Sequence, residues 1–365
     1  MTLTTAPRTP APAPATSAGL TNGRLPKSAP WGILALSFVV SALLFGVLGI
    51  ASGSAFNIAG FAVVAVVLYL VLVTVVSRTV EGGRKATDRL VTGIVSAAFV
   101  LAMVPLVSLG WTVLTNGIAG ISAEFFTSSM RNVVGEGGGA LHAIIGTLLV
   151  TLAAAIISIP IGLFTAIYLV EYGHGRLAQG ITFLVDVMTG IPSIVAGLFA
   201  FAVFALFFGP GIRLGIMGAV ALSVLMIPVV VRSSEEMLRL VPNELREAAY
   251  ALGVPKWLTI VKVVLPTSIA GITTGIMLSI ARVIGETAPL LITAGVTTSM
   301  NYNLFEGRMM TLPVFAYSQY MNQGIPAEAY IDRAWAAALV LIVIVMALNL
   351  IARLAARVFA PKTSR

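Results

Sequence analysis

The chain has 365 residues, 58% hydrophobic and only 10% charged, with a mean hydropathy of +1.01 and a net charge of +8. Soluble domains carry about 45–50% apolar and about 25% charged residues, so the composition excludes a soluble enzyme, a disordered protein and a disulfide scaffold, leaving a multi-span membrane protein. The lack of Cys excludes thiolate metal sites, disulfides and thiol catalysis. The basic residues flank apolar runs, so the positive charge reads as membrane topology rather than nucleic-acid binding.

The first 30 residues hold Pro7, Pro10, Pro12, Pro14, Pro26 and Pro30 among Ala, Thr and Ser. This composition cannot bury a core and predicts a disordered tail over 1–30, not a signal peptide. A helix needs about 20 apolar residues to cross the hydrocarbon. Eight runs qualify: 31–50, 57–77, 90–114, 141–170, 181–208, 214–231, 268–295 and 334–352. They are continuous rather than alternating, which predicts an all-α polytopic fold. With the N-terminus in the cytoplasm, 17 Lys and Arg lie on inner segments and 4 on outer ones, with Arg282 inside a span. This bias predicts that both termini are cytoplasmic.

On the outer side, Phe125 and Phe126 are candidates to dock on the membrane surface or on a binding protein. Asp186, near the inner end of the fifth run, reads either as a cap or bond to neighbouring backbone or as part of the path. Arg232, after Pro228-Val229-Val230-Val231, reads either as an inner anchor or as the inner mouth of an anion path. Asp332 and Arg333 read as anchors at the outer end of the last run. His142 and His174 lack companions at metal-ligand spacing. No catalytic triad or carboxylate pair is recognisable, so the chain is not expected to be an enzyme.

The longest inner loop, 232–267, contains Asn243-Glu244-Leu245-Arg246-Glu247-Ala248-Ala249-Tyr250-Ala251-Leu252-Gly253-Val254-Pro255. Asn243 is placed to cap a short helix, Gly253 to end it in a left-handed conformation, and Pro255 to stop it. Leu245, Ala248, Ala249 and Leu252 fall on one face. This amphipathic helix suits the lipid interface or a groove on a cytosolic partner. Glu247-Ala248-Ala249, Gly253 and Val263-x-Leu265-Pro266, at their spacing, resemble the signature loop of ABC-importer permeases, with Val263 where that pattern has Ile. The resemblance implies a coupling helix that docks on an ATP-binding subunit through Glu247, Ala248, Ala249 and Gly253. No phosphate loop of the G-x-x-x-x-G-K-[ST] type occurs here, so an ATP-driven process would require another polypeptide.

The seventh run contains Ser279-Ile280-Ala281-Arg282-Val283-Ile284-Gly285-Glu286-Thr287-Ala288-Pro289. A charge at the bilayer centre costs about 2.5–3.5 kcal/mol. Spacing of four predicts that Arg282 and Glu286 share a helix face and pair, while Gly285 and Pro289 weaken the helix beside them, which fits a bend or an open backbone near a pathway. The pair reads either as an internal tie of the bundle or as an anion site in a translocation path. In the second reading the Arg282 fork meets phosphate or carboxylate and Glu286 orients it. Thr287 and Ser279 would donate hydroxyls or satisfy helix backbone.

The string from Ala281 to Leu291, and Gly190-Ile191-Pro192-Ser193 through Gly197, resemble phosphate-specific ABC permeases of the PstA type, over roughly residues 90–357. The resemblance implies a type I permease core of six spans at 86–365 and an additional hairpin with its linker at 31–85. It also implies phosphate import across a bacterial cytoplasmic membrane, with the substrate pathway at Arg282, Glu286, Thr287 and Arg232. The implied partners are a PstC-type sister permease, two PstB-type ATP-binding subunits carrying ATP and Mg, and an extracytoplasmic phosphate-binding protein. No cofactor is expected on this chain. The alternatives are a permease for another oxyanion or small solute, an ion-coupled secondary transporter, and a membrane scaffold.

Overall fold

The computed structural model describes residues 23, 25–53 and 55–359, so most of the expected tail over 1–30 lies outside the described residues. Among the described residues there is no strand. Fourteen α-helices follow in order: α1 Ala29–Ser52, α2 Ile58–Val80, α3 Gly83–Ala119, α4 Ala123–Thr127, α5 Leu141–Ile167, α6 Gly175–Thr189, α7 Ser193–Phe208, α8 Gly215–Arg239, α9 Asn243–Ala251, α10 Lys256–Thr259, α11 Leu265–Val283, α12 Ala288–Thr293, α13 Leu312–Met321 and α14 Ala327–Phe359. Two π-helical segments interrupt this series: Tyr168–Tyr172 extends α5, and Ile260–Val264 joins α10 to α11.

Seven helical stretches among the described residues are long and apolar enough to cross a bilayer, and a bent pair makes up to eight. The bent pair corrects the expectation of one straight span over 181–208. α6 and α7 meet at 110° across Gly190, Ile191 and Pro192. Pro192 lacks an N–H and pushes Ile191 out of the helical region, so the ladder cannot continue although the hydropathy does. The seventh run is also revised. Its helical stretch begins at Lys256, α11 ends at Val283, and α12 starts anew at Ala288.

The chain divides into two compact units, with the boundary between Leu109 and Gly110 inside α3. In the first unit, α1 and α2 form a hairpin. Asn57 caps α2 by accepting from Gly60 N at 2.8 Å. Ser41 Oγ donates across the hairpin to the Phe61 carbonyl at 2.8 Å, and Phe38 packs edge-on to Phe61. Small side chains and hydroxyl bonds of this kind hold helices together where lipid removes the hydrophobic drive. Glu81, in the turn after α2, accepts from Arg89 at 2.7 and 3.1 Å, from Leu25 N at 3.0 Å and from Ser77 Oγ at 3.0 Å. The Arg89 guanidinium holds the Glu81 carboxyl well down, at about 2, with help from Leu25 and Ser77, while desolvation opposes the shift.

In the second unit, α8 is the central helix. It packs on α5, α6, α7, α11 and α12 and buries Met217, Leu222, Met226 and Val230. The outer segments fold back over this core. Leu214 N donates to the Thr293 carbonyl, Ile216 N to the Leu304 carbonyl and Leu312 N to Thr147 Oγ1. Two expected surface roles are corrected here. Phe125 is 1% exposed and belongs to the core, leaving Phe126 as the outward ring. Arg333 is 5% exposed and donates at 2.8 Å to the carbonyls of both Gly135 and Gly137, so it clamps the outer glycine loop instead of anchoring in headgroups.

Candidate functional site

Arg282 lies in the last turn of α11, and Glu286 lies beyond the helix end. The chain turns at Gly285, and Glu286 N donates back to the Val283 carbonyl at 3.1 Å. The two residues therefore do not share a helix face, and neither side chain makes a hydrogen bond or ion pair among the described residues. This overturns the expected pair. Spacing of four guarantees proximity only on a continuous helix.

Arg282 is exposed and Glu286 is half-buried. Thr267, Ala270, Thr274, Leu278 and Arg282 recur every three or four residues and form one exposed stripe along α11. Ser279 lies off this stripe. It is fully buried, and its hydroxyl donates to the Ile276 carbonyl at 2.6 Å, so it satisfies backbone and lines nothing. Thr287 is half-buried and immediately precedes α12.

The break after α11 adjoins the break after α6. A methyl group at Gly197 would lie 2.6 Å from the Cα of Pro289, so only glycine permits α7 and α12 to touch there. The starts of both helices lie within about one turn of this contact. Non-helical backbone at membrane depth is tolerated where it is buried in protein or lines a polar cavity. The first turn of a helix such as α7 also carries partial positive charge. An exposed guanidinium, a half-buried carboxylate and a hydroxyl therefore follow one another along the chain at one of two adjoining helix breaks. This arrangement suits brief contact with an anion.

Arg232 presents the opposite case. It pairs with Asp186 of α6 and with Glu235 at 2.9 Å, and Glu235 also holds Arg239 at 2.5 Å. Asp186 is thus an ion-pair partner, not a backbone cap. Two carboxylates answer two guanidiniums, so this inner cluster carries no net charge. The structure does not bring Arg232 together with Arg282, Glu286 or Thr287 in any hydrogen bond or ion pair. Gly275 packs against Ser233, beside Arg232, and Arg282 lies about 10 Å farther along α11.

The inner loop forms α9. Its first residue is Asn243, and Pro242 occupies the cap position, so Asn243 does not cap with its side chain. Asn243 Oδ1 instead accepts from Arg246 at 3.3 Å. Gly253 has φ +76°, Gly253 N donates to the Tyr250 carbonyl and Val254 N to the Ala249 carbonyl, as expected for the helix end. Ala249 is 8% exposed and faces inward. Leu245, Glu247, Ala248 and Leu252 are exposed, Leu252 at 84%.

Sequence reasoning missed what holds α9 in place. Arg246 pairs with Glu171 of the first π-helical segment at 2.9 Å and donates to the carbonyls of Leu238 and Val241 at 3.0 and 2.6 Å. The Glu171 side chain is 4% exposed and that of Arg246 12%. Lys256 donates to the Glu171 carbonyl and stands over the Tyr172 ring. One side chain thus ends α8, orients α9 and fixes both to α5. Glu171 and Arg246 are 75 residues apart, and no local sequence signal joins them.

Residues 158–365 match the family described as "Binding-protein-dependent transport system inner membrane component". The chain is 47% identical over 281 residues to the phosphate transport system permease protein PstA 1 of Mycobacterium tuberculosis, covering 76% of this chain and 91% of that protein. It is 45% identical over 279 residues to PstA of Mycobacterium leprae, covering 76% and 90%. Among solved structures, the inward-facing MetNI methionine ABC transporter is similar at a TM-score of 0.49 and 18% identity, over 60% of this chain and 96% of that one.

Proposed function

This chain belongs to the PstA-type phosphate transport permeases of ABC transporters, and from that premise we propose that it forms half of a phosphate pathway and is driven by separate ATPase subunits through α9. It is a membrane-spanning transport component and not an enzyme. The reading rests most directly on Arg282, an exposed guanidinium on the face of a membrane helix that makes no hydrogen bond or ion pair among the described residues. Facing lipid, such a charge is costly. Facing a PstC-type sister permease across a polar path, it is solvated by water and by the transported anion.

In this reading phosphate arrives from an extracytoplasmic binding protein and meets Arg282 transiently, with Thr287 as a hydroxyl donor. Glu286 keeps the local charge low enough for release, since tight binding in a pathway blocks passage. Arg232, already neutralised, keeps the inner end of α8 in register with α6 and leaves phosphate contact to the break above it. On the inner side, Glu247, Ala248, Ala249 and Gly253 present α9 to one of two PstB-type subunits, which bind ATP and Mg. ATP shifts the conformational equilibrium only if it binds one state more tightly, and the Arg246–Glu171 pair passes that preference from α9 into α5. Both termini are cytoplasmic, residues 31–85 form an additional hairpin with its linker, and 86–365 form the permease core.

The test is uptake of labelled phosphate into proteoliposomes holding this chain with its sister permease, ATPase and binding protein. Uptake that requires ATP, and falls on the order of 100-fold for Arg282→Gln with assembly intact, supports the reading. Near-normal uptake by that variant overturns the pathway role. ATP-independent uptake driven by an ion gradient overturns the coupling role.

A further inference from the structure

The first unit contains two adjoining clefts. One, of about 640 Å³, opens beside the turn between α2 and α3, and Glu81, Lys85, Asp88 and Arg89 line its mouth. The other, of about 510 Å³, is lined chiefly by Trp31, Leu34, Phe38, Val66, Ala97 and Val100. They share Pro30, Tyr69, Gly93 and Ser96, so one groove leads from a charged mouth into an apolar interior. From Arg89 to Val100 it runs about 16 Å along α3.

The four charges at the mouth are not equivalent. Glu81 and Arg89 are committed to each other through two hydrogen bonds. Lys85 and Asp88 make no hydrogen bond or ion pair among the described residues. The groove therefore offers one uncommitted ammonium and one uncommitted carboxylate, three residues apart on the first turns of α3. An anionic group alone gains no net attraction there, because the mouth is neutral overall. A headgroup carrying both a phosphate and an amine matches both charges, and long apolar chains match the walls beyond. Charged pockets between membrane helices at the interface are suited to lipid headgroups, and Tyr69, at the junction of the two clefts, is a residue type favoured at that depth.

We propose that this groove binds one aminophospholipid, with its phosphate on Lys85, its headgroup amine on Asp88, and its acyl chains along Trp31, Phe38, Val66 and Val100. The site lies outside the phosphate path and does not rest on the transport reading.

The full-length chain, in its complex, is placed in nanodiscs of equal phosphatidylethanolamine, phosphatidylcholine and phosphatidylglycerol, then released and analysed by native mass spectrometry. The expected result is one retained phosphatidylethanolamine per chain, enriched about tenfold over phosphatidylcholine, whose quaternary amine cannot donate a hydrogen bond. Asp88→Asn should reduce the enrichment about tenfold, Lys85→Ala should reduce the amount of lipid retained about tenfold, and Ser96→Phe should abolish retention by filling the groove. Equal retention of the three lipids, preference for phosphatidylglycerol, or a cross-link from Ser96→Cys to a partner subunit's helix overturns the proposal. Competition by short-chain forms of the same lipids on the unaltered protein gives the same decision without any variant: displacement by phosphatidylethanolamine alone supports the site, and equal displacement by all three overturns it.

Discussion

The inner end of α8 and the break between α11 and α12 both place arginine in apolar surroundings, and they treat it in opposite ways. At α8, Arg232 meets Asp186 and Glu235, and Glu235 also meets Arg239. At the break, Arg282 makes no hydrogen bond or ion pair among the described residues, although Glu286 is four residues away. An arginine answered inside its chain fixes geometry. One left unanswered stays open to another molecule. The Arg246–Glu171 pair belongs with the first kind and is the most buried of the ion pairs at the inner end.

This contrast can be broken by substitution, and the largest effect is expected where an answered charge is removed. Arg246→Met leaves Glu171 buried without a partner and should destabilise the chain by about 3–5 kcal/mol, read as a lower unfolding midpoint and weaker ATPase co-purification. A neutral outcome would place α9 under other control. Arg282→Gln should do the reverse, with uptake falling on the order of 100-fold and stability changing by less than about 1 kcal/mol. Gly253→Val forces a β-branched residue to φ +76° and should cost about 1–2 kcal/mol, loosening α9 without touching the break. Arg232→Gln should cost about 1 kcal/mol, since the guanidinium is one-third exposed, and should leave uptake within about threefold. If Arg232→Gln stops transport and Arg282→Gln does not, the two roles are reversed.

The smallest effect concerns Glu81. Its carboxyl is held at about 2 against an ordinary 4.5, so the charged form is the one favoured by folding. That contribution is fully present above about pH 4.5 and is lost as pH falls toward about 2. The difference in unfolding midpoint between the natural chain and Glu81→Gln should therefore close over this interval. A difference independent of pH would mean that shape, not charge, makes Glu81 the tie of the α2–α3 turn.

Hydropathy alone made the spans legible, because burial in lipid needs only length and apolar content. Gly253 was legible too, since a left-handed helix end favours glycine on local steric grounds alone. The bend after α6 was not read, although Gly190 and Pro192 stood in the string. An unbroken apolar run says nothing about the direction of the backbone. The pairing of Arg282 with Glu286 was inferred from helical spacing, and it failed when the helix ended at Val283. No local signal marks Arg246, because its partner is 75 residues distant. Local rules reach only as far as a helix continues: Glu286 lies past the end of α11, and Glu171 lies on a different helix from Arg246.

The two π-helical segments bear on how α9 can move. Each holds one residue more than the α ladder accommodates, which makes it a dislocation in an otherwise regular lattice. A dislocation glides without tearing its lattice: the bonds it opens behind it are replaced by bonds ahead, while the residues it passes turn by about 100° around the axis. One lies under Glu171, which grips α9 through Arg246, and the other lies between α10 and α11. The segment that holds α9 is thus joined to α5 and to α11 through two slip planes, and a shift taken up there leaves the close packing of α5 on α8 in place.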